Sequence, residues 1–490
     1  MSESPEDGRQ PSLLDAIIPL VALTILIGGS IALYGLDALD GPIQLALILC
    51  CAVAALIGMK NGHSWERVQK ASQGALVSIT SAIFILLAVG ALIGVWNLSG
   101  TIPTLVYYGI QVLSPQFFYG ASALICGAVA LSIGSSWTTA GTIGVGLVGI
   151  ASVLDVSTTI TAGAVISGAY LGDKLSPLSE TTILTSQIVG VGVYDHIKRQ
   201  VWTSLPAFGI AVVVFTFLGF VRDDGEASAV TDIELSRLSE IYHVTPWNLL
   251  PLALLAYLSI RKVPAALALL ASGLFAGVLG SVLQQDVVRG FTASEGNVVV
   301  ASIKGVMSAM ANGFTMDSGI GDIDALLSRG GMDSMLLTIW LIIGAVTFGA
   351  LLDELGLIAR LVNPLIKRAK STGRLFLTVF GCSFGLNVVA GDQYIALVLP
   401  ARIFRAEFAR RRLAPTNLSR LTADSGTVTS PLVPWNSCGA FMGAVLGVST
   451  LLYAPYAIFC WASPLLSLVY GFTGFRIERL DDTTPQEATA

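Results

Sequence analysis

The sequence predicts an all-α polytopic membrane protein of about 11–14 spans, with inverted structural repeats and two discontinuous or re-entrant helices. Three observations predict it. Hydrophobic residues make up 54% of the 490 residues and charged residues only 12%, with 51 glycines, a balance no ordinary soluble domain shows. Apolar runs long enough for the hydrocarbon layer recur along the whole chain, without the polar face a soluble surface helix carries. Finally, two polar strings interrupt these runs, GDKLSPLSETT at 172–182 and ADSGTVTSPLVPWN at 423–436. Each sets a carboxylate, hydroxyls and a proline where a membrane helix should have none. An acid in lipid costs several kcal/mol unless it faces protein, water or an ion. Serine, glycine and proline beside it break the helix and free carbonyls and helix ends for coordination. Paired breaks of this kind suit a secondary transporter holding a small ion at mid-membrane.

The clear runs are 16–34, 43–59, 76–96, 117–133, 204–221, 264–283, 335–352, 375–390 and 446–466. Residues 1–10 are acidic and polar, and no small-residue cleavage signal follows the first run, which is expected to stay as an anchor. Charge is segregated by loop. Lys60, Arg67 and Lys70 share one, Lys198 and Arg199 a second, Arg261 and Lys262 a third. Arg360, Lys367, Arg368, Lys370 and Arg374 fill a fourth, and Arg402, Arg405, Arg410, Arg411, Arg412 and Arg420 a fifth. The positive-inside rule makes these five cytoplasmic, and both termini with them. The uncharged 97–116 and the acidic 222–243 read as external.

An internal repeat fits that topology. GALIGVWNLSG at 90–100 resembles GAVTFGALLDELG at 344–356, and GSSWTTAG at 134–141 and GCSFGLNVVAG at 381–391 follow in turn, each ahead of a polar break. The first helix of one copy leaves a positive loop while that of the other enters one, so the copies are inverted. The chain divides into an amino terminus with two leading helices (1–72), a first copy (73–200), connecting helices and external segments (201–333), a second copy with the final span (334–470) and a polar cytoplasmic tail (471–490). The leading pair is compatible with a scaffold for a homodimer.

A sodium ion wants a shell of hard oxygens. Asp173, Ser176, Ser179, Glu180, Thr181 and Thr182 supply them in the first string, where Pro177 exposes nearby carbonyls. Asp424, Ser425, Thr427, Thr429 and Ser430 do so in the second, followed by Asn436. Asp173 and Asp424, one from each copy, are the leading cation and proton ligands, with Glu180 third. Asp392 after Gly391 is read either as facing the same cavity or as an external loop acid. Simpler readings stand beside these. Lys174 could brace Asp173 as a structural pair; Glu180 could cap the following helix; Asp424 could make a turn; Asn436 could satisfy a backbone carbonyl. Trp137, Thr138 and Thr139 read as close packing in a small-residue helix. His63, His196 and His243 read as solvated loop residues, and the six cysteines, with no CxxC spacing, as small core hydrophobes.

The two strings, read on to LTADSGTVTSPLVPWNSCG at 421–439, closely resemble the signatures of the NhaC-type sodium:proton antiporters within the wider ion-transporter superfamily, over about residues 76–466. The resemblance implies exchange of Na⁺, or Li⁺, for H⁺ across the cell inner or plasma membrane. It implies no resident cofactor, Na⁺ being bound as the transported ion, and lipid but no nucleic acid as surroundings. In the family pattern the first string continues Asp-Thr-Thr-Asn. Here Glu180 extends the acid by a methylene and Ile183 removes an amide ligand. Some relatives exchange proton-coupled dicarboxylate for sodium and monocarboxylate, so a sodium- or proton-coupled exchanger of malate, lactate or amino acids stays open. No phosphate loop, nucleophile–base pair or metal-ligand cluster points to an ATPase or an enzyme.

Overall fold

The computed structural model describes residues 9–221, 236–293, 297–317, 324 and 327–480. The acidic external stretch expected at 222–243 lies mostly outside the described residues, as do the far amino terminus and the last ten residues of the tail.

The regular secondary structure of the described residues is helical, apart from an isolated β-bridge between Leu413 and Arg479. The helices are α1 (Leu13–Tyr34), α2 (Pro42–Lys60), α3 (Trp65–Leu98), α4 (Thr101–Val112), α5 (Phe118–Ile133), α6 (Ser136–Thr139), α7 (Val145–Val153), α8 (Thr158–Leu175), α9 (Glu180–Val189) and α10 (Val193–Phe220). After them come α11 (Leu250–Ile260), α12 (Ala265–Leu283), α13 (Gln285–Thr292), α14 (Val298–Asn312), α15 (Leu336–Glu354) and α16 (Leu357–Arg368). The last six are α17 (Thr372–Val389), α18 (Gln393–Arg410), α19 (Pro415–Thr422), α20 (Ser437–Leu446), α21 (Thr450–Tyr453) and α22 (Ile458–Thr473). Among the described residues nine helices are long and apolar enough to cross a membrane. A tenth span is added if Ser437–Leu446 and Thr450–Tyr456, bent by 98°, act as one. The protein is therefore an all-α, multi-spanning membrane protein.

Burial sorts these helices into a rim and a centre. Leu14, Leu33, Val77, Val213 and Val278 are largely exposed, as side chains facing lipid would be. The carboxyl-terminal half of α3, from Leu86 to Leu98, is nearly all buried, whereas its first turns are open. Helix α8 is buried along almost its whole length, from Thr161 to Lys174.

Small residues let α8 lie hard against α5. A Cβ on Gly168 would collide with the Ala123 carbonyl oxygen, and one on Gly172 with the backbone of Ala130. Close backbone approach of this kind is how helices associate where lipid removes the hydrophobic incentive. It also sets the height of Asp173 against the turn that ends α5. Gly172→Ala should therefore push the two helices apart at a cost of about 1–3 kcal/mol. Thermal unfolding in detergent should show a lowered transition, and an unchanged one would mean that α5 yields without penalty.

Candidate functional site

Helix α8 stops at Leu175 and α9 starts at Glu180, so the first polar string is a genuine interruption. Pro177 has no backbone donor and cannot extend α8. The threonines beyond the break reach back to satisfy the freed carbonyls: Thr181 and Thr182 donate to the Asp173 oxygen at 3.1 and 2.7 Å, and Thr182 also to that of Lys174 at 3.3 Å. Ser176 accepts from the Leu178 N–H at 3.3 Å. These three hydroxyls build the break.

The Asp173 carboxylate faces the turn between α5 and α6. Gly134 sits at φ +79°, a left-handed conformation that ends α5 and that glycine adopts without strain. Ser135 caps α6, accepting from Thr138 N–H at 3.2 Å. Ser136 then offers its N–H to Asp173 Oδ1 at 3.2 Å and its hydroxyl to Oδ2, and Ser179 donates to Oδ1 at 3.5 Å.

A cavity of about 480 Å³ opens beside this group. Asp173 and Glu180 line it from the first break, and Asp392 lines it from the second half of the chain. Asp392, only 6% exposed, is the N-cap of α18: its Oδ1 accepts from the N–H groups of Tyr394 and Ile395 at 2.8 and 3.0 Å. Asp392 thus sits in a buried helix cap on the cavity wall. Trp137, stacked on Phe441 with ring centroids 4.0 Å apart, forms part of the wall, and Lys262 stands with three carboxylates as the cavity's sole basic side chain among the described residues. Glu180 is exposed within this space and occupies the first turn of α9. The N-cap position itself belongs to Ser179, whose side chain makes no capping bond.

Asp424 lies elsewhere. It is fully buried in a π-helical turn, Ala423–Thr427, that continues α19, and it does not line the cavity. Lys174 forms an ion pair with it. Ser463 and Thr203 donate to its Oδ1 at 2.8 and 3.2 Å, and Ser467 to Oδ2 at 2.5 Å. Lys174 also donates to Ser463 at 2.6 Å and sits 5.5 Å from the Phe459 ring. Two expectations are corrected here. Lys174 does not brace Asp173, because successive helical residues point about 100° apart; Asp173 faces the cavity and Lys174 the opposite element. For the same reason the two leading aspartates do not converge on one point. They meet different faces of the last turn of α8, Asp173 with Ser136 and Asp424 with Lys174.

The remaining residues of the second string mostly hold the break together. Asn387 donates from Nδ2 to the Gly426 oxygen at 2.7 Å and to Thr429 Oγ1 at 2.9 Å. Asn436 donates to the Asn387 oxygen at 3.2 Å and to its Oδ1 at 3.0 Å, and caps α20 by accepting from Cys438 N–H at 3.0 Å. Thr429 donates to the Ser425 carbonyl and Ser430 to that of Thr427, the latter at 2.7 Å. The hydroxyls of Ser425 and Thr427 have no hydrogen-bond partner among the described residues.

Several members of these clusters are not apparent from the sequence. Ser136 lies in a string that reads as packing. Ser463 and Ser467, four apart around Pro464 in an apolar run, carry a usable signal: two hydroxyls on one helical stripe. His196 and Arg420, expected among solvated loop charges, are fully buried in α10 and α19. Their neighbours in sequence are charged, and sequence proximity cannot tell a loop from the first turn of a helix.

A model of the Na⁺/H⁺ antiporter family matches residues 16–202 and 168–475. The chain is 35% identical over 465 residues to the Na(+)/H(+) antiporter NhaC of Alkalihalophilus pseudofirmus, spanning 93% of this chain and 96% of that protein. It is 33% identical over 472 residues to the malate-2H(+)/Na(+)-lactate antiporter of Bacillus subtilis, 96% of each chain. To the arginine/ornithine antiporter ArcD of Halobacterium salinarum it is 33% identical over 486 residues, 98% of this chain and 96% of the other.

Proposed function

The chain belongs to the Na⁺/H⁺ antiporter family, as a multi-pass secondary transporter of the plasma or inner membrane and not an enzyme, and from that premise we propose that it exchanges Na⁺ for H⁺ by alternating access at the cavity holding Asp173, Glu180 and Asp392. One observation carries the reading: three carboxylates, drawn from both halves of the chain, line a single cavity with Lys262 as its basic residue. Such a wall attracts a cation and repels an organic acid. Hydroxyls of Ser135, Ser136 and Thr138 on the same wall supply the neutral oxygens that a hard cation also wants. Na⁺ and H⁺ compete for the same carboxylate oxygens, so the cavity carries one or the other. Asp424 keeps its part in the coupling through Lys174, whose neighbour Asp173 rides on the same turn of α8.

The two copies, 73–200 and 334–470, are the proposed moving units, inverted relative to each other. Recurrent landmarks in the same order support this. Gly100 and Gly356 precede α4 and α16, and Gly134 and Gly391 precede α6 and α18. Ser-Pro-Leu stands in both breaks, at 176–178 and 430–432, and Gly190 and Gly447 end α9 and α20. All six glycines have positive φ. With both termini and the Arg261–Lys262 turn cytoplasmic, the cavity that Lys262 lines opens inward in this conformation.

In proteoliposomes containing only this protein, an imposed Na⁺ gradient should drive protons the opposite way with no organic solute present. Repeating the assay with Li⁺ and K⁺ reads how closely the oxygen cage fits. If internal pH stays constant until malate, lactate or an amino acid is added, exchange of an organic solute replaces the simple cation reading.

A further inference from the structure

We propose a second aqueous inlet, separate from the cation cavity, that runs along α10 to the Lys174–Asp424 pair and is lined by His196, Gln200, Ser204 and Arg420. The first three recur at intervals of four residues, which places them on one stripe of α10. Thr203 on the adjoining edge of that stripe donates to Asp424 at 3.2 Å, so the stripe ends at the pair. From His196 to Thr203 the helix rises about 10 Å.

Six polar atoms along this stripe have no partner among the described residues. Both ring nitrogens of His196 lack one, as do Gln200 Oε1, Ser204 Oγ, and Nε and Nη2 of Arg420. All four residues are fully buried. Arg420 meets a single acceptor through Nη1, the Arg476 carbonyl at 3.4 Å, and faces the Tyr470 ring at 5.6 Å. Gln200 donates from Nε2 to the Arg420 carbonyl at 3.3 Å, which ties the stripe to α19.

Buried groups of this kind are almost always satisfied by protein or by ordered water. A buried guanidinium with two orphan donors is strongly penalised unless it is solvated. Among the described residues Asp424 accepts no hydrogen bond from Arg420; its oxygens accept from Lys174, Ser463, Ser467 and Thr203. Water fits both the number and the mixture of donors and acceptors. At about three bonds per buried water, two or three molecules satisfy all six atoms.

We take as its mouth a neighbouring recess, whose walls come from the same helices but not from the four stripe residues themselves. A recess of about 520 Å³ is lined by Gly192, Asp195, Lys198, Arg199, Thr416 and Glu478, among others, so residues flanking His196 on α10 and the start of α19 form its walls. Arg199 and Glu478 pair across it. None of these residues lines the cavity of Asp173. Water reaches Asp424 and Lys174 from this recess, while the cation enters by the cavity. Two openings onto neighbouring turns of α8 and its partners let the Lys174–Asp424 pair meet water by a path separate from the one the cation takes. That last role rests on the exchange reading above; the inlet itself does not.

The test is made on full-length protein with its six native cysteines replaced, reconstituted in vesicles. Ser204→Cys, nearly isosteric, and His196→Cys should react with a small hydrophilic thiol reagent at least about tenfold faster than Ala211→Cys, a fully buried position further along the same helix. Equal, slow reaction at all three positions overturns the inlet. Saturating Na⁺ should slow labelling of Ser135→Cys in the cation cavity and leave that of Ser204→Cys unchanged; parallel slowing at both overturns its separateness. An unmodified chain gives an independent reading. Hydroxyl-radical footprinting should oxidise His196 well above Phe215, although both are fully buried, and equal protection rejects the proposal. Neither measurement involves transport, so failure of the exchange assay does not bear on the inlet.

Discussion

Asp173→Asn is expected to abolish coupled Na⁺/H⁺ exchange while the protein still reaches the membrane in near-normal amount. The substitution keeps size and shape and can still meet Ser136 and Ser179, but it removes the charge for which, in the proposed mechanism, both cations compete. A charge-assisted interaction is worth about 1.5–3 kcal/mol, or about 10- to 100-fold in affinity. Na⁺-dependent thermal stabilisation of the purified protein should fall accordingly, because a ligand held only by the folded state raises its apparent stability by mass action. Glu180→Gln should act in the same direction with a smaller effect, since Glu180 is exposed in the cavity. Asp392→Asn retains a competent helix cap, so any loss of Na⁺ stabilisation in that variant reports charge rather than misfolding. Normal exchange together with normal Na⁺ stabilisation in Asp173→Asn would displace the site from this cavity.

The second large effect concerns the buried pair. Lys174→Met and Asp424→Asn each leave one charge uncompensated in a fully buried position, and breaking such a pair costs about 3–5 kcal/mol. Each single variant should show a much lower unfolding temperature in detergent and poor recovery from membranes. The double variant removes both charges, and the amide introduced by Asp424→Asn can still accept from Ser463 and Thr203 through its oxygen while its N–H donates to Ser467. It should therefore regain most of the folded protein. Exchange is expected to stay lost in the double variant, because in the proposed mechanism Asp424 and Lys174 couple the two breaks through the turn that carries Asp173. Wild-type exchange by a well-folded double variant would make the pair a brace only. A double variant no more stable than the singles would indicate that charge imbalance is not what destabilises them.

Fold class, family and the positions of both breaks are legible in the chain alone, because those properties are local. Hydropathy over a run of about twenty residues records whether a segment can sit in hydrocarbon. Proline, glycine and serine at 172–182 and 423–436 record where a helix must stop, whatever packs against it. The oxygen donors are legible for the same reason. Which donors meet is a property of the tertiary structure. Asp173 and Lys174 are neighbours in sequence, yet the turn of one helix sends the first toward Ser136 and the cavity and the second to Asp424. Asp392, ambiguous in sequence, gains its place because the turn before α18 faces the first break. His196 and Arg420 read as loop residues because hydropathy assigns charged and polar residues to loops, yet both are buried. Their burial arises from helices distant in sequence closing over them, and no one-dimensional pattern carries that information. A carboxylate's chemistry depends on what lies within a few ångströms of it, and in a many-helix bundle those neighbours come from the far end of the chain.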